Sequence, residues 1–60
     1  MKPKEILKIL LKDGWVEVAQ KGSHKQLKHA TKPGKVTIPM HNGDLDKGTE
    51  KSIFKQAGLR

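Results

Sequence analysis

A chain of 60 residues has room for one small domain, taken as residues 1–60, and buries only about 60% of the surface its unfolded form exposes. It has no cysteine, so neither a disulfide framework nor a thiolate metal site supplements the core, and an intracellular setting is expected. Thirteen lysines and arginines against six acids leave a net charge of +7, which points to a polyanionic partner: nucleic acid first, although an acidic protein would use the same field. The only arginine is Arg60. Lysine acts on phosphate as a point charge, so backbone contacts with weak base reading are expected. The longest apolar run, Ile9 to Leu11, is far short of the roughly 20 residues of a membrane span, and Met1 to Glu5 does not read as a secretory leader. The expectation is a soluble cytoplasmic protein with no membrane partner.

Pro3 to Asp13 places Ile6, Leu7, Leu10 and Leu11 on one side of a helical turn, with Pro3 suited to the first turn and Gly14 to the stop. Trp15 to Gln20 alternates as a strand does, with Val16 and Val18 on one face and Glu17 on the other. Lys21-Gly22 interrupts it as a tight hairpin turn, and a second strand follows over Ser23 to Ala30. Lys32-Pro33-Gly34 predicts another turn, leading to a third strand from Val36 to Met40 that Pro39 confines to an edge or ends. His41 to Asp44 has loop chemistry. Asp46 is a candidate N-cap for a helix from Lys47 to Ala57, in which Thr49, Ile53 and Ala57 share a stripe beside Phe54, and Gly58-Leu59 close the last turn. The fold class is therefore α+β: helix, three antiparallel strands, helix, with both helices on one sheet face over a core that includes Val16, Val18, Leu27 and Ile38.

His24, His29 and His41 are the side chains whose unperturbed pKa lies nearest neutrality. No His-Glu-x-x-His and no other metal-ligand spacing is visible, so no metal and no cofactor are expected. Ser23 and His24, as neighbours on a strand, point to opposite faces, which disfavours a serine hydrolase. RNA cleavage asks for less: the 2′-OH is a built-in nucleophile, one imidazole moves the proton, and lysines stabilise the charge growing on phosphate. His24 lies between Lys21 and Lys25 after a glycine turn, where a phosphate can approach closely, and alternation about an inward Leu27 sends His24, Gln26 and Lys28 to the open face. A solvated surface histidine would have the same spacing, and a charged solvated face would account for the same lysines. His29, on the Leu27 side, is expected to be a partly buried packing residue, His41 to be solvated, and Trp15 to sit at the core edge rather than to stack on bases.

Gly22-Ser23-His24, preceded by Gly14-Trp15-Val16 and followed by Lys28-His29, resembles the signature of the HicA toxins. Asp44-Leu45-Asp46-Lys47-Gly48-Thr49, then Ile53 and Lys55 to Leu59, is similar to the closing helix of that family, so the resemblance runs over essentially the whole chain. It implies a double-stranded-RNA-binding-domain-like fold and a toxin that cleaves messenger RNA without the ribosome. The histidine of Gly-Ser-His, here His24, would be the catalytic residue, and a cognate HicB-like antitoxin would hold the toxin inactive. Two positions depart from the pattern: Leu27 stands where many relatives place an aromatic residue, and Lys25 where a second histidine is frequent.

These observations predict a metal-independent endoribonuclease with His24 in acid–base chemistry. Lys21, Gly22, Ser23, Lys25 and Lys28 are the expected RNA contacts. A non-catalytic RNA-binding module and a protein whose basic face serves only an acidic partner are the alternatives.

Overall fold

The computed structural model describes residues 1–59; Arg60 lies outside them. The elements run α1 (Pro3–Lys12), β1 (Trp15–Lys21), β2 (His24–His29), β3 (Lys35–Pro39) and α2 (Lys47–Gln56). In α1, Pro3 occupies the first turn and the Glu5 carboxylate accepts the otherwise orphaned Lys2 amide at 3.0 Å. The buried stripe is Pro3, Ile6 and Leu10, with Leu7 half-buried. Leu11, expected in that stripe, is 45% exposed. Pro3, Ile6, Leu7 and Leu10 already satisfy the spacing of one helical face, and Leu11 falls a further turn-fraction around the flank. No helix among the described residues is long and apolar enough to cross a membrane.

The sheet is antiparallel with β2 central, and β1 and β3 are its edges. The β1–β2 turn is Gly22-Ser23, one residue later than expected, because Lys21 pairs with His24. Gly22 has φ +56° while Ser23 stays out of the positive-φ region, which is the type II′ pattern. At the start of β1, Trp15 faces inward opposite His29 and is 1% exposed. Strand alternation then sends Val16 outward, and a β-bulge between Glu17 and Ala19 interrupts the register. Val16 and Val18 are accordingly 59% and 52% exposed, so they do not belong to the core. Trp15 takes the inward position that the valine alternation had reserved.

The core is Ile6 and Leu10 of α1, Trp15, Leu27, Val36 and Ile38 of the sheet, Leu45, and Ile53 and Ala57 at α2. Both helices therefore bury their stripes against one sheet face. Leu45, outside the regular elements, is anchored by its amide donating to the Met1 carbonyl at 2.9 Å. Asp46 caps α2 through the Thr49 amide and hydroxyl, at 3.1 and 2.7 Å. At the other end, the Leu59 amide donates to the Phe54 carbonyl and that of Gly58 to Lys55, which together close the helix as a Schellman motif.

One polar cluster ties the two helix ends to the sheet. His29 Nδ1 accepts the Thr31 and Lys32 amides at 3.0 and 3.2 Å, so the ring is the Nε2–H tautomer, and Nε2–H donates to the Asp13 carbonyl at 2.7 Å. Its ring meets Trp15 edge-on, with centroids 5.3 Å apart. The Lys32 ammonium donates to the Asp13 carboxylate and to the Ala57 carbonyl at the end of α2. The hydrogen bond from Lys32 holds Asp13 below the usual carboxylate range; partial desolvation opposes it and the Lys32 charge adds to it.

This cluster makes two outcomes measurable. Gly14 has φ +101°, and a Cβ there would lie 2.8 Å from His29 Nε2, whereas one at Gly22 would meet nothing within 4 Å. Gly14→Ala should therefore lose stability by at least about 1–3 kcal/mol in thermal or urea melts. It should lose more than Gly22→Ala, and equal losses would contradict the clash. The lowered Asp13 favours the fold fully above the ordinary carboxylate value of 3.8 and loses that contribution as pH falls below it. In urea midpoints measured against pH, Asp13→Asn should flatten part of the acid-side decline, the remainder including Asp46, which its Thr49 bonds also lower.

Candidate nucleic-acid interface

The face of the sheet turned away from the helices is built in rows across the strands. Lys21, His24 and Pro39 form the row nearest the hairpin turn, Ala19, Gln26 and Thr37 the middle row, and Val16, Lys28 and Lys35 the far one. These residues share a face because directly paired positions of neighbouring strands point the same way. The three rows contain His24 and three lysines but neither Asp nor Glu. Val16 and the bulged Val18 give this basic surface an exposed apolar margin along β1.

His24 is the first residue of β2, immediately after the two-residue turn, and is exposed. Its ring has no hydrogen-bond partner among the described residues. Ser23 fixes the turn to the third strand, its carbonyl accepting the Met40 amide at 2.6 Å. The Gln20 side-chain amide donates to the Gly22 carbonyl at 3.0 Å. The crest at Gly22 is open to an incoming group. Beyond Met40 the chain enters the loop with His41, which forms a small cleft of about 260 Å³ with Lys2 and Lys4 at the start of α1.

Of the lysines singled out from the sequence, Lys21 and Lys28 share the His24 face. Lys25 does not: it pairs with the buried Ile38 on the helix side, and its ammonium donates to the Glu17 carboxylate at 3.0 Å. Its side chain is only 17% exposed. Strand alternation carried that information, since Lys25 and Leu27 are two residues apart. Lys35 was missed, although a hairpin closed by Lys32-Pro33-Gly34 brings the residue just after it opposite Lys28. His29 is half-buried and fully engaged by backbone groups, and His41 is exposed in its loop, as expected of both.

Among the described residues no group of three His, Asp or Glu side chains is arranged to hold a metal ion. The chemistry offered by this face is that of a solvent-open imidazole able to exchange a proton, beside ammonium groups able to bind and neutralise a phosphate.

The family model described as the HicA toxin of bacterial toxin–antitoxin systems matches residues 3–59. No curated protein matches the sequence. Among solved structures, a chain of a toxin–antitoxin complex from Streptococcus pneumoniae is similar at 40% sequence identity and a TM-score of 0.83, over 98% of both chains. The agreement covers the order of elements and the open three-stranded sheet, and with the family match it establishes that this chain belongs to the HicA toxin family.

Proposed function

We propose that this toxin is a ribosome-independent, metal-independent endoribonuclease that acts on messenger RNA in the cytoplasm, with His24 as its catalytic residue. One observation carries the reading: an exposed imidazole stands beside a tight turn, on a face that holds lysines and no carboxylate. Such a face attracts the RNA backbone through its phosphates, and the release of counterions makes the binding salt-dependent. The Gly22-Ser23 turn lets a phosphodiester approach closely, with Lys21 and Lys28 on the same side as the imidazole.

The substrate's own 2′-OH attacks the adjacent phosphorus. The new bond is O2′–P, the bond broken is P–O5′, and the products are a 2′,3′-cyclic phosphate and a free 5′-OH. Of the two proton movements, off the 2′-OH and onto the departing O5′, a single imidazole carries one and water exchanges the other, while ammonium groups offset the charge that builds on phosphate. Lys25 takes the role of a phosphate contact less readily than Lys21 or Lys28, because reaching RNA would require it to leave Glu17.

A HicB-like antitoxin is the proposed protein partner, in keeping with the toxin–antitoxin complex to which the chain is similar. Its site is the same open face. Carboxylates placed against Lys21 and Lys28, and apolar groups on Val16 and Val18, would exclude RNA from His24 and cover the exposed apolar margin along β1.

His24→Ala should abolish toxicity and lower RNA cleavage by at least about 10²-fold, the low end for general acid–base catalysis. The fold should be unchanged, because the side chain is exposed and its ring makes no contact that the backbone needs. Cleavage at the parent rate by a normally folded His24→Ala protein would overturn the assignment of catalysis to His24.

A further inference from the structure

Lys28 and Lys35 are a directly paired cross-strand couple on the open face, both exposed. Like charges in that position repel and cost the fold stability. Within the sheet no acid offsets them: Glu17, the one carboxylate on the three strands, lies on the other side with Lys25. The adjacent row on their own face holds the uncharged Gln26 and Thr37, and the Gln26 side-chain oxygen lies 3.5 Å from the Lys35 ammonium. Gln26 sits between His24 and Lys28 on the exposed side of β2, so the Lys35 charge leans along the strand toward the histidine. At the rise of a β-strand, His24 and Lys28 are about 13 Å apart. One nucleotide's phosphate cannot occupy both positions.

We infer that Lys28 and Lys35 form a second phosphate subsite, and that the substrate is a single-stranded RNA laid along β2, long enough to reach that row from the scissile bond at His24. The inference rests on the reading of His24 as the cleavage site. A repulsive pair is relieved by an anion held between its members, so binding there recovers what the empty pair costs. An open, three-stranded face accepts an extended strand, whose phosphates follow the central strand and whose bases turn outward or lie over Val16 and Thr37.

The test uses His24→Ala protein, to prevent turnover, and labelled single-stranded RNAs lengthened one nucleotide at a time from either end of a mapped cleavage site. Affinity should rise in a step when the strand becomes long enough to reach Lys28 and Lys35, and lengthening one end only should produce that step. Lys35→Gln, in the same background, should remove the step and leave the shorter RNAs bound as before. For the long RNAs it should flatten the slope of log K against log salt by up to about 0.7. Without RNA, the same substitution should raise the melting temperature, because it removes a like-charge contact. Equal weakening at every length would reduce Lys35 to general positive charge and overturn the subsite. Unchanged RNA binding, accompanied by lost binding of a polyglutamate peptide, would assign the row to an acidic protein partner instead. A length step that survives although the His24→Ala protein still cuts these RNAs at the parent rate would uphold the subsite while defeating His24 as the residue that cleaves.

Discussion

Trp15 has to lie against the helices, and the Gly22-Ser23 turn has to pair Lys21 with His24; an unbroken strand between them cannot meet both demands. Counting alternately from an inward Trp15 puts Lys21 inward, whereas the turn puts it on the same face as His24. The bulge between Glu17 and Ala19 absorbs the one-residue difference. On one side of it, the indole closes the core and meets His29. On the other, the hairpin end is rotated so that Lys21 joins the open face. The presence of Ala19 and Lys21 on that face depends on this accommodation.

Its electrostatic result is a sheet with two unlike faces. The helix side uses its charges structurally: Lys25 with Glu17, and Lys32 with Asp13 and the end of α2. Exposed pairs of this kind add little stability individually. Lys32 matters more through position, since it joins the last turn of each helix beside the Gly14 corner. The open side has cations without acids. In a chain with so small a core, a face held this way is more readily understood as a surface for an anionic ligand than as a contribution to folding.

Much of this architecture was legible in the sequence because local chemistry and global arrangement agree. Pro3, the Asp46 cap and the Gly58-Leu59 closure each mark a helix end by a mechanism that needs no distant partner. The inward Leu27 likewise placed His24, Gln26 and Lys28 outward and His29 inward. What failed depended on longer-range competition. Val16 and Val18 show the stronger strand pattern, yet Trp15 supplies the larger apolar side chain and wins the inward position. A bulge leaves no signature when its unpaired residue is an ordinary valine. Leu11 lies on the flank of a stripe that begins at Pro3, a residue rarely counted as part of one. Lys25 illustrates the reverse case: sequence proximity to His24 suggested a shared role, while strand parity separates them across the sheet.

In the proposed reaction the 2′-OH of the substrate is the nucleophile, and the imidazole of His24 moves one proton, off that hydroxyl or onto the departing oxygen. The most direct measurement is cleavage, by the free toxin, of an RNA oligonucleotide carrying a single 2′-deoxy substitution at a mapped scissile position, with binding followed in parallel. Cutting should stop at that position while affinity changes little, since phosphates carry the binding and the hydroxyl carries the chemistry. Undiminished cutting at the deoxy position would contradict the mechanism and require an activated water instead.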